Sequence, residues 1–166
     1  MDKHPVFYSD LMSGTVLNSP LLKNARFKDD AGEYAEIENG MIVHIGALDG
    51  ERDVHIATAP TADSKKEELG FVAGVCLFYD ESKRHYEDEW VNEAGRPVRV
   101  YMYQPNDIFS LTKEGFDGTP EVGKFVDFAA GKVKMTVADA ESDKTIGEII
   151  DVRQTARYTI YGVRVK

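Results

Sequence analysis

Lys132-Val133-Lys134-Met135-Thr136-Val137 and Tyr161-Gly162-Val163-Arg164-Val165-Lys166 alternate residue by residue, and this period of two decides the fold class. Successive side chains of a β-strand point to opposite faces, so each run lays one face on a core and the other in water. Runs of β character recur at Val98 to Tyr103, Ile108 to Thr112, Val122 to Phe128, Ile146 to Arg153 and Thr159 to Val165. Turn residues separate them at Pro105-Asn106-Asp107, Gly115 to Pro120, Ala130-Gly131 and Glu141-Ser142-Asp143. Many short strands punctuated in this way indicate a sandwich or barrel. The long amphipathic helices that an α/β fold requires are missing from the pattern. The expected class is therefore all-β: an antiparallel β-sandwich or barrel with an irregular N-terminal arm.

Further towards the N-terminus, Phe71 to Tyr79 is apolar throughout, which predicts a central strand covered on both faces. Cys76 lies inside it and reads as a small buried thiol; as the only cysteine it has no intrachain disulfide partner. Asn39-Gly40, between Tyr34 to Ile37 and Met41 to Ile45, predicts a hairpin, and Leu48-Asp49-Gly50 before Val54 to Ala57 extends it into a meander. Thr58 to Gly70 is too polar and short for more than a connector. Asp80 to Arg96 is a charged loop carrying Tyr86 and the sole tryptophan, Trp90. Before Asp30 no period is sustained. The expected organisation is an arm over residues 1–30 and a β domain over 31–166, with a division into two small β modules near 80–96 as the alternative.

The 166 residues fit one ordinary domain, and 42% hydrophobic content supplies a core. Basic residues are scattered through a chain of net charge −9, so a nucleic-acid backbone would be repelled. No run approaches the roughly 18 apolar residues needed to cross a bilayer. The first residues lack the apolar stretch of a signal peptide, so synthesis in a cytoplasm is expected, with no membrane partner.

Four histidines, His4, His44, His55 and His85, are potential metal ligands or acid-base groups, but none has ligand spacing. His44 and His55 lie on adjacent predicted strands and would need a third ligand from elsewhere. Glu87-Asp88-Glu89 lacks the spacing and central glycine of a calcium loop and reads as solvated. There is no nucleophile elbow and no phosphate-binding glycine loop. The chain is accordingly expected to be non-enzymatic, with no cofactor and no metal. An enzyme using carboxylates scattered in sequence is the remaining alternative, because their spacing is a property of the fold. Arginine and tyrosine interleave at Val98 to Tyr103, which the net charge turns from base stacking towards strand packing.

The run Gly95-Arg96-Pro97-Val98-Arg99-Val100-Tyr101, with Asn106 to Thr112, Val122 to Val126, Gly131 to Met135, Ile146 to Val152 and Tyr161 to Val165, resembles capsid decoration (cement) and head-fibre-like proteins of tailed bacteriophages. The resemblance implies a virion protein made in the host cytoplasm. It would bind the major capsid protein on the outer face of an assembled shell, stabilise the shell, and form a homotrimer. An apolar-studded arm suits such contact, by burying side chains or adding a strand to an exposed edge, which nominates Val6, Phe7, Tyr8, Leu11, Val16 and Leu17. The alternative is a carbohydrate- or receptor-binding β-sandwich module in which Tyr86, Trp90 and Tyr103 stack on the ligand.

Overall fold

The structure, a computed structural model, describes residues 3–15, 19–78 and 86–166. Five strands close into a barrel in the order β2-β4-β3-β5-β6: β2 (Leu22–Phe27), β3 (Ile42–Leu48), β4 (Val54–Thr58), β5 (Leu69–Val72) and β6 (Val98–Met102). A second sheet combines β1 (Phe7–Leu11), β7 (Ile108–Thr112), β8 (Phe116–Asp117), β9 (Phe125–Asp127), β10 (Met135–Ala138), β11 (Thr145–Gln154) and β12 (Thr159–Val165). Its order is β1-β7-β12-β11-β9-β10-β8. The expected all-β class holds, as a sheet packed on a barrel. Pairing is antiparallel except between β2 and β4 and between β8 and β10, which run parallel.

A barrel of five strands has little room inside, and its sequence answers with small side chains. Ala25, Val43, Ala57, Val72, Val98 and Val100 fill it, closed by Ile37, Met41 and Met102. At Gly70 even a methyl group would sit 2.4 Å from a Val100 methyl, so the strand must be bare there. The alternate, larger residues point outward. Ile42, Leu69, Phe71 and Tyr101 leave the barrel and meet Phe109, Leu111, Val126, Ile146 and Ile149 of the sheet. Phe71 is fully buried at this junction, its ring 4.7 Å from that of Phe109, and Phe7 packs on the far side of Phe109 at 5.3 Å.

The segment expected to be an irregular arm instead supplies a strand to each layer. Phe7 pairs with Leu111 and Tyr8 with Ser110, which makes β1 an edge strand of the sheet. The following turn is held by the buried Asp107 carboxylate, which accepts from the Ser13 amide at 3.1 Å and hydroxyl at 2.6 Å. The period is hidden because burial along β1 does not alternate, Phe7, Tyr8 and Ser9 all being partly buried, while the inward position of β2 must be as small as Ala25 and carries little hydrophobic signal.

Asn39-Gly40 does form a turn, with Gly40 at φ +78°, but no strand precedes it. Tyr34 and Ile37 make single bridges to Lys28 and Asn92 instead. A Cβ on Gly40 would lie 2.2 Å from Leu111, so the turn is pressed against the sheet. The hairpin of β3 and β4 forms as expected. The apolar run from Phe71 stays strand only to Val72; all four β5 residues are buried, and beyond them Val75 and Leu77 emerge into solvent at 53% and 56% exposure. Residues 80–96 do not divide two modules, because β6, which follows them, closes the barrel onto β2 and β5.

With Phe71 shared by both layers, Phe71→Ala is expected to cost about 3–5 kcal/mol. Urea unfolding followed by circular dichroism and by Trp90 fluorescence should give coincident curves. Two separated transitions would contradict the common core.

Candidate functional site

Where β5 ends, two asparagines take over from the strand ladder. Asn39 binds the Gly74 backbone at both groups: its Nδ2 donates to the Gly74 carbonyl at 3.0 Å, and the Gly74 amide donates to its Oδ1 at 2.8 Å. Asn92 Nδ2 donates to that same Oδ1 at 2.9 Å and to the Ile37 carbonyl at 2.8 Å, and Asn92 Oδ1 accepts from the Trp90 indole N–H at 3.0 Å. Both asparagines are buried, so each of these bonds satisfies a group that would otherwise be costly to leave unpaired. This network explains why the strand stops: the Gly74 backbone is claimed by a side chain rather than by a neighbouring strand.

The network also fixes a cleft of about 340 Å3, within the size range of ligand pockets. It is lined by Val75, Leu77, Trp90, Pro97, Arg99 and Asn24 among others. Phe78 meets Trp90 edge-on, ring centres 5.2 Å apart. Arg99 and Asn24 are opposed in register on the outer faces of β6 and β2. Arg96 is paired with Glu93 at 2.7 Å, whereas the exposed Arg99 guanidinium has no acceptor among the described residues.

Of the six residues nominated from sequence for shell contact, Val6, Phe7 and Tyr8 pack on the protein itself. Val6 is buried and exchanges hydrogen bonds with Thr112; Phe7 packs on Phe109; the Tyr8 hydroxyl donates to Glu87 at 2.7 Å. Burial and that carboxylate push the Tyr8 phenol up. Leu11 is 69% exposed, and Val16 and Leu17 lie outside the described residues. The three aromatics nominated for stacking are not brought together. Trp90 lines the cleft; Tyr86 lies under the Arg157 guanidinium, 3.2 Å from its ring centre; Tyr103 donates its hydroxyl to the Lys166 carbonyl.

His44 and His55 do not face one another, since the register sets His44 opposite Thr58 and His55 opposite Leu48. His44 approaches Glu68 at 3.4 Å, and His55 Nδ1 lies 3.0 Å from the Gly46 carbonyl. His85 lies outside the described residues. Among the described residues no group of three or more His, Cys, Asp and Glu is placed to hold a metal ion. The Glu87-Asp88-Glu89 stretch is not a solvated loop throughout, because Asp88 is buried. Its carboxylate lies 3.3 Å from both Arg157 and the Tyr158 hydroxyl, and its carbonyl accepts from the His4 amide.

Asn39, Gly74, Asn92 and Arg99 are the site residues that sequence reasoning missed. The glycine interrupting an apolar run was the available signal for the first three, since it marks a place where another group comes close. A Cβ at Gly74 would stand 1.9 Å from Asn92 Oδ1. Gly74→Ala is therefore expected to break the network at a cost of about 1–3 kcal/mol, and to shift Trp90 emission to the red as the indole loses its acceptor. Unchanged emission and stability would contradict the network.

Cys76 is half-buried rather than buried, beside the Asn39 amide nitrogen at 3.7 Å. Burial, reinforced by the Glu87 charge, pushes its thiol up to about 11. At about pH 8 it should react with a disulfide reagent on the order of 100-fold more slowly than an ordinary cysteine, because so little is thiolate. The deficit should vanish on unfolding in urea, and a fast native reaction would refute it. Compared with known proteins, the chain matches no family model, no curated protein and no solved structure.

Proposed function

We propose that this chain acts by binding rather than by catalysis, and that what it binds is a protein surface. The observation that carries this is the pair Val75 and Leu77, each more than half exposed beside a cleft whose shape is held by buried hydrogen bonds. Apolar side chains carried next to an anchored backbone, as Val75 is next to Gly74, expose surface that gains by being covered, which favours a protein contact. The resemblance of the C-terminal strands to phage decoration proteins makes the outer face of an assembled shell, and its major capsid protein, the surface to test first. Within this proposal the contact lies at the Trp90 cleft rather than along residues 6–8, whose side chains serve the protein's own sheet.

A carbohydrate-binding module is the second proposal, favoured by one feature: the Trp90 ring shares the cleft with the polar side chains of Asn24, Glu93 and Arg99. Glycan binding there would quench Trp90 fluorescence.

The test is co-sedimentation of the purified chain with assembled shells and with unassembled capsid protein, its mass in solution measured by light scattering. The expected outcome is a homotrimer that pellets only with assembled shells, and a Leu77→Asp variant that binds them at least about tenfold more weakly. No association with either form would overturn the decoration proposal.

A further inference from the structure

We infer that the Trp90 cleft is a receptor for a short extended peptide segment of the partner, in which one carboxylate adjoins an aliphatic or aromatic side chain. This inference rests on the protein-binding proposal above and adds the chemistry of what is bound.

Three observations converge on it. Arg99 projects from the outer face of a barrel strand, exposed and without an acceptor among the described residues, at the edge of the cleft. Its neighbour Arg96 is already paired with Glu93, so among the described residues lining the cleft the cation left without a partner is Arg99, in a chain whose net charge is −9. A planar guanidinium takes a carboxylate through two parallel hydrogen bonds, a geometry that an ammonium does not reproduce. Val75 and Leu77 line the same cleft, offering apolar surface that gains by being covered.

The overall charge sharpens the specificity. A polyacidic partner would be repelled by the −9 chain at long range, whereas a segment with one carboxylate flanked by apolar residues meets the local cation and the apolar wall together. The aliphatic pair also separates a peptide from an acidic sugar, whose hydroxyls would be desolvated against Val75 and Leu77 with no hydrogen bond in return. The cleft is ready before binding, because Trp90 and Gly74 are tied to the buried asparagines.

The experiment is panning of a displayed library of random peptides against the full-length chain, followed by Trp90 fluorescence titration of the enriched peptides and of glucuronic acid. The inference expects enriched peptides with a single Asp or Glu next to a large apolar residue. It expects their affinity to fall at least about tenfold in Arg99→Ala, to remain reduced in Arg99→Lys, and to fall in Leu77→Asp. Arg99 is exposed, so its variants retain the fold and their losses report binding. No enrichment, enrichment without an acidic residue, or equal affinity in Arg99→Ala would overturn the inference, as would Arg99-dependent binding of glucuronic acid alone. Shell binding by wild type and Arg99→Ala alike would overturn it while sparing the protein-binding proposal. Absence of both shell and peptide binding would remove the two together.

Discussion

The narrow bore of the five-stranded barrel is the constraint on which the rest of the structure depends. A closed sheet of five strands admits little more than alanine, valine and a bare glycine at its crowded positions, so bulk has to be placed outside. Outward-facing Ile42, Leu69, Phe71 and Tyr101 would expose a large apolar face if the barrel stood alone. The seven-stranded sheet exists to cover them, and the chain order secures the cover: β1 crosses to the sheet before the barrel begins, and β7 follows directly on the last barrel strand. Termini and middle are thereby bound into one core, with Phe71 and Phe109 in contact across the junction.

The same economy shapes the cleft. Cover by the sheet extends over the Leu22 and Tyr101 positions of β2 and β6 but not over Asn24 and Arg99, which stay in solvent on the same outer face. Ala73 still donates its amide to the Arg99 carbonyl of β6, and from Gly74 onward the buried amides of Asn39 and Asn92 hold the chain instead. A buried polar network of this kind is stabilising only when every member is satisfied, which makes it sensitive to small changes but also rigid. Rigidity is the property a binding surface needs, and it is supplied here by side-chain amides.

Much of the C-terminal half was legible in the sequence. Ile108 to Thr112 and Thr159 to Val165 coincide with β7 and β12, and Ile146 to Arg153 falls within β11, because these strands sit in a sheet with distinct faces and their alternation survives. In the barrel, Val54 to Ala57 and Val98 to Tyr103 match β4 and β6, whereas β2 looked irregular and β5 was read as starting only at Phe71, because inward positions there are Ala25 and Gly70, residues that carry no hydrophobic period. Asn39-Gly40 read as hairpin chemistry, when the turn is real but the asparagine's larger role is to hold Gly74 thirty-five residues away. Trp90 was singled out as a surface aromatic and does line a cleft. Asn92, which accepts its indole N–H, was not, since a buried asparagine within a charged loop becomes informative only once its neighbours are known.

The proposed partner contact lies at the Trp90 cleft and not along the N-terminal strand. Hydrogen–deuterium exchange of the full chain, free and bound to assembled shells, distinguishes the two. Added protection is expected at Gly74 to Phe78 and Trp90 to Arg99, with exchange over Phe7 to Leu11 unchanged. Protection confined to residues 6–11, with the cleft exchanging as in the free protein, would contradict it.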